Sequence, residues 1–106
     1  MKALKFKHDF VKEILEYRKT TTWRLFDDKN LMAGDELELV DRDSNETFAN
    51  AVITDIQEKK IRDLTEEELK NHDYTNTEDV LTSHRGYYGD KVNLNTDVKM
   101  ISFKLI

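Results

Sequence analysis

The sequence predicts an α+β domain: a small mixed β-barrel of about five or six strands, with a helix after the first strand and a helical insertion before the last. Two observations predict this class. Segments in which apolar and polar residues alternate open the chain, close it and recur in its middle, while stretches of helical spacing fall between them. The order of these segments also lacks the regular strand–helix alternation that builds a parallel sheet. With 106 residues, the chain is expected to fold as one domain over residues 1–106, since two separate cores would each be too small.

Each element follows from its residues. Leu4 and Phe6 alternate with Lys5 and Lys7, which reads as a first strand. Asp9 is placed to cap a helix carrying Phe10, Val11, Ile14 and Leu15 on one face, with Arg18 and Lys19 in its last turn. Residues 20–25 switch to β-branched and aromatic types, a strand signature. A polar loop over 27–33 leads through Gly34 and Asp35 into a strand over 36–40, with Leu37 and Leu39 facing inward. Turn-forming residues over 41–46 make a hairpin loop. The next strand is expected over 47–56, resuming through Ile61, and its imperfect alternation implies a bulge. Thr65 and Glu68 have capping-box spacing, and Thr77 is placed to cap a helix that passes Val80 and Leu81 toward Gly86. A loop over 86–95 precedes the last strand, where Ile101, Phe103 and Leu105 alternate with Met100, Ser102 and Lys104.

Charge is unevenly distributed. Residues 1–24 carry seven bases and three acids, for +4, and the remaining residues carry ten bases and nineteen acids, for −9, giving the total of −5. Such a field favours a short anionic ligand near the N-terminal third and disfavours long duplex DNA. The same distribution also suits an uneven solvated surface. Cysteine is absent, which removes disulfides, thiolate metal sites and cysteine nucleophiles, and suits a reducing cytoplasm. Apolar runs reach only three or four residues, so neither a membrane span nor a signal-peptide core is expected.

The chemistry concentrates in residues 18–24, Arg-Lys-Thr-Thr-Thr-Trp-Arg. In an extended strand Thr20, Thr22 and Arg24 share one face, and Thr21, Trp23 and Leu25 share the other. The threonines supply hydroxyls to both faces, and Arg24 adds a planar fork suited to a phosphate. Lys19 lies where the chain turns from helix to strand, so its amine could approach Thr22. A lysine desolvated beside Arg24 would hold its proton less tightly and could activate the threonine hydroxyl. The same residues also fit a plain structural account, in which the threonines favour a strand, Trp23 fills the core and the bases are solvated.

Residues 19–24 after a short amphipathic helix, followed by Gly34-Asp35-Glu36-Leu37-Glu38-Leu39, resemble the ASCH domain, the activating-signal-cointegrator homology domain of the PUA-like superfamily. Asp63-Leu64-Thr65-Glu66-Glu67-Glu68-Leu69 resembles the start of that family's helical insertion, and residues 98–105 resemble its last barrel strand. The resemblance implies a PUA-like barrel with a cleft lined by residues 19–24, and an association with RNA and modified nucleosides. One bacterial branch hydrolyses acetylcytidine without metal, using a lysine, a threonine and a glutamate. Carried over by position, these imply Lys19 as base and Thr22 as nucleophile, and the branch's arginine falls on Arg24. The glutamate position falls on His72, with Asp73 next to it where many relatives have glycine. Tyr17 likewise stands where relatives have glycine at the helix end.

Other candidates carry less. His8, His72 and His84 form no helix-spaced pair, so no zinc site is expected. Asp41, Asp43 and Asn45 alternate like a calcium loop but lack its glycine and terminal glutamate, and read as a hairpin tip. Glu66, Glu67 and Glu68 read as a helix start. Tyr87 and Tyr88, near Gly86 and Gly89, suit either stacking on a base or anchoring a loop. No phosphate loop is present.

The sequence therefore predicts a binding module for a nucleotide, a modified nucleoside or a short single-stranded RNA, with no metal or cofactor. Lys19, Thr20, Thr21, Thr22 and Arg24 supply the polar contacts, and His72 or Asp73 closes one side. The alternative is a metal-independent amidohydrolase acting on acetylcytidine, with Lys19, Thr22 and His72 as the catalytic set.

Overall fold

The computed structural model describes residues 1–106. Its elements are β1 (Lys2–Phe6), α1 (His8–Leu15), β2 (Thr21–Leu25), β3 (Glu36–Asp41), β4 (Thr47–Lys60), a 3₁₀ turn (Ile61–Asp63), α2 (Glu66–Asn71), α3 (Thr77–Tyr88) and β5 (Asp97–Leu105). The strands form one five-stranded sheet in the order β1-β3-β4-β5-β2. β1 pairs with β3 in parallel and β3 with β4 antiparallel, so the sheet is mixed, as expected from the sequence. No helix is long and apolar enough to cross a membrane.

The expected bulge has a definite place. Leu39 pairs with Ala49 but Val40 pairs with Thr47, which leaves Phe48 as the extra residue of β4. Beyond it the strand runs to Lys60 without the interruption expected after Ile56.

The chain divides into two compact units. The first comprises Met1–Trp23, Asp27–Gln57 and Met100–Ile106. Its core is Leu4, Phe6, Ile14, Leu37, Leu39, Ala51, Ile53, Ile101 and Phe103, on the strands and on the inner face of α1, joined by Leu31 from the loop that was expected to be polar. Burying a side chain of this size stabilises the fold by about 1.5–3 kcal/mol. One residue, Lys7, separates β1 from α1, so the helix starts at His8 without a side-chain cap, and Asp9 falls in its first turn instead. Its carboxylate still suits the helix dipole there. His8 Nδ1 lies 2.7 Å from Asp41 Oδ2 at the end of β3. That bond and the Asp41 charge raise the His8 pKa, and the same bond holds Asp41 below the usual carboxylate range.

α1 ends earlier than its sequence suggests. Arg18 and Lys19 lie beyond it, because the Tyr17 N–H bonds to the Ile14 carbonyl at 3.0 Å and the Arg18 N–H to that of Glu13 at 2.8 Å. These two bonds form a Schellman motif with Tyr17 as its left-handed residue, at φ 62°.

The second unit comprises Arg24–Phe26 and Glu58–Lys99. The Thr65 capping box forms as expected: Thr65 Oγ1 accepts from the Glu68 N–H at 3.1 Å, and Glu68 Oε1 accepts from the Thr65 N–H at 2.9 Å. Burial alone would raise the Glu68 carboxyl, but the Lys59 ammonium at 2.8 Å and the Thr65 donors outweigh it and lower its pKa. α2 closes with a second Schellman motif. The Asp73 N–H bonds to the Lys70 carbonyl and the Tyr74 N–H to that of Leu69, with Asp73 at φ 61°.

Two expectations about α3 are corrected. Its cap is Asn76, whose side-chain oxygen takes the Asp79 N–H at 3.0 Å, while Thr77 is its first helical residue. It also continues through Gly86 to Tyr88 and ends at Gly89, which takes φ 85°. The extra turn seats Tyr88 against His84, with near-parallel rings 6.3 Å apart. His84 is buried and its Nδ1 lies 2.9 Å from the Val80 carbonyl, so Nδ1 carries the hydrogen. Burial, only partly offset by that bond, lowers the His84 pKa below the ordinary 6.5.

The left-handed positions generate the first prediction. A non-glycine residue there costs about 1–2 kcal/mol, partly balanced by the extra chain freedom that glycine brings to the unfolded state. Tyr17→Gly and Asp73→Gly are each expected to raise the melting temperature by about 3 °C, and Tyr17→Val to lower it, in thermal scans. His84 generates the second. A lowered folded-state pKa means that the unfolded chain takes up the proton first, so stability is full above pH 6.5 and falls as pH drops below it. The urea midpoint of the wild type minus that of His84→Phe should therefore be flat above pH 6.5 and decline below. The opposite slope from His8 is common to both proteins and cancels in the difference.

Candidate functional site

Residues 19–23 belong to the first unit and residues 24–26 to the second. The Schellman turn at Tyr17 sets the first part. After it, the Lys19 N–H also reaches the Glu13 carbonyl at 3.2 Å, and the half-buried Lys19 side chain returns over α1. Its Nζ sits 4.7 Å from the centroid of the Phe10 ring. Thr20 is exposed and its carbonyl accepts the Phe103 N–H at 2.9 Å, which ties the entry of β2 to β5. Thr21 is half-buried, Thr22 is 6% exposed and Trp23 is 9% exposed. Thr22 and Trp23 point to opposite faces of the strand, so both faces of β2 are covered at this level. Trp23 is a core residue, one of the two roles its strand position allows.

In the second unit Arg24 is half-buried and Leu25 buried. The Leu25 N–H makes a long hydrogen bond, 3.4 Å, to Tyr88 Oη. Phe26 follows in a left-handed conformation, φ 52°, with its ring edge-on to Tyr88 at 5.6 Å and Lys91 Nζ 4.2 Å from its centroid. Of the two tyrosines, Tyr88 is the anchor, whereas Tyr87 is half exposed to solvent. His72 is the half-buried C-cap residue of α2, and Asp73 is the exposed left-handed residue after it. Both therefore carry backbone roles at a helix end. The structure thus groups Lys19, Thr20, Thr21 and Thr22 in one unit, and Arg24, His72 and Asp73 in the other.

Sequence reasoning did not single out Phe10, Phe26, Lys91 or the orienting bond of His84. Phe10 reads only as one more residue of an apolar helix face, and the contact between Phe26 and Lys91 joins distant parts of the chain. One signal was available for His84. It lies four residues after Val80 on a helical stretch, the spacing at which a side chain reaches back to a carbonyl.

Comparison of sequences finds no matching family model and no matching curated protein. Comparison of structures does find relatives in shape. One is a protein of Enterococcus faecalis of the family model DUF984, at TM-score 0.73 and 14% identity, covering 93% of this chain and 68% of that one. Another is a Pyrococcus furiosus protein at TM-score 0.68 and 17% identity, covering 99% and 96%. A third is the ASCH domain of Lactobacillus crispatus, at TM-score 0.64 and 14% identity, covering 90% and 69%. At these identities the likeness is one of architecture, and it agrees with the resemblance read from residues 19–24, 34–39 and 63–69: this chain has the fold of an ASCH domain.

Proposed function

We propose that the chain binds a nucleotide, a modified nucleoside or a short single-stranded RNA through residues 19–24. The observation that carries this reading is the Lys19 ammonium seated over the Phe10 ring. A ring face attracts a cation, so the contact holds the Lys19 ammonium in place. A positive charge suits a phosphate, whereas a general base must offer a free amine. Arg24 adds a fork that pairs with phosphate oxygens in two parallel bonds. The −9 balance of residues 25–106 limits the length of strand that such a patch can hold.

Trp23 is the single tryptophan and lies inside the segment, so its fluorescence is a direct reporter. Titration with cytidine monophosphate is expected to change Trp23 emission. Lys19→Ala and Arg24→Ala should each weaken binding about tenfold, equivalent to about 1.4 kcal/mol. Unchanged affinity in both variants would place the ligand elsewhere. Incubation with acetylcytidine separates the amidohydrolase: release of cytidine that disappears in Lys19→Ala and Thr22→Ala would establish hydrolysis in place of simple binding.

Ionic strength tests the length of the partner. Each neutralised phosphate of a single strand contributes about −0.7 to the slope of log K against log salt. A short oligonucleotide should give a slope of about −1 to −2, and a much steeper one would indicate a longer strand than proposed.

A further inference from the structure

We propose that His8, Asp41 and Asp43 form a binding site for a divalent metal ion of the zinc type, independent of the function proposed above. One ligand atom from each of the three lies within 4.8 Å of the other two, and His8 Nδ1 is 2.7 Å from Asp41 Oδ2. The three arrive from fixed places. His8 opens α1, Asp41 ends β3, and Asp43 sits in the turn that follows, where its N–H donates to Asp41 Oδ1 at 2.9 Å. Asp41 is 8% exposed and so held rigidly, while His8 and Asp43 face solvent. That combination gives an anchored donor, two adjustable ones and room for a water as fourth ligand.

The donor set decides the class of ion. Magnesium and calcium prefer oxygen ligands throughout, whereas an imidazole with two carboxylates suits zinc and its first-row neighbours. Bonds of about 2.1 Å put the donors about 3.4 Å apart around a tetrahedral zinc, so the exposed His8 ring swings outward from its 2.7 Å contact with Asp41 and the exposed Asp43 turns inward to close the set. The ion takes the place of the hydrogen between His8 Nδ1 and Asp41 Oδ2 while the ring keeps a hydrogen on Nε2, so a charged His8 releases one proton to solvent and a neutral one only changes tautomer. The sequence hides the arrangement because His8 and Asp41 lie 33 residues apart.

Calorimetric titration of chelator-treated protein with zinc alone tests the proposal. One ion per chain is expected to bind with micromolar affinity, and His8→Ala and Asp43→Asn should each weaken it at least tenfold. Both side chains lie outside the core, and thermal scans without zinc check that the variants fold. Cobalt(II) added to the wild type gives a second readout, the intense visible bands of a four-coordinate ion. Absence of zinc binding, a loss below tenfold in either folded variant, or only the weak bands of hydrated cobalt overturns the site.

Discussion

The path of the chain into residues 19–24 depends on one backbone event, the left-handed turn at Tyr17. Without it α1 would run on, carrying Arg18 and Lys19 around a helix surface. With it, the Glu13 carbonyl takes the N–H groups of both Arg18 and Lys19, and the chain leaves in the direction of β2. The turn also brings Lys19 back over Phe10, so the local cap and the placement of the cation are one structure. Tyrosine is a costly residue for this position, and Asp73 repeats the situation at the end of α2. In both places the resemblance had flagged a residue standing where relatives have glycine. The structure supplies the reason glycine is favoured there, and shows that the backbone path survives its replacement.

Much of the architecture was legible in the residues. Alternation placed Leu4, Phe6, Leu37, Leu39, Ile101 and Phe103 in the core, and the Thr65–Glu68 spacing announced a capping box that forms with both its bonds. What was not legible was where helices stop. A terminus is decided by which residue accepts positive φ and which carbonyls find donors, and composition does not encode that choice. Gly86 offered a stopping point for α3 that was not used, because one more turn lets Tyr88 pack against His84 and reach the Leu25 N–H. The bulge was implied by imperfect alternation, yet only the pairing of Leu39 with Ala49 and Val40 with Thr47 fixes it at Phe48.

The candidate binding segment was legible as a list of residue types and less so as a geometry. Strand alternation assigns Thr20, Thr22 and Arg24 to one face, but their exposure passes from open to buried to half-buried along it. Alternation fixes direction only. Cover is supplied by whatever packs above each face, which is information from elsewhere in the chain. The same limit concealed Phe10 and Phe26, whose roles come from the lysines brought to them by tertiary structure.

Those two aromatic contacts bear on how an acidic chain presents positive charge. A lysine steered by a carboxylate is held in place at the expense of its field, because the partner's charge opposes its own. A lysine steered by a ring is held with its charge intact, since the ring attracts through its quadrupole and has no net charge. Lys2 and Lys59 follow the first course, with Asp35 and Glu68 each within 2.8 Å. Lys19 over Phe10 and Lys91 over Phe26 gain the second kind of support, one in each unit of the molecule. The Phe10 ring thus fixes where the Lys19 charge stands.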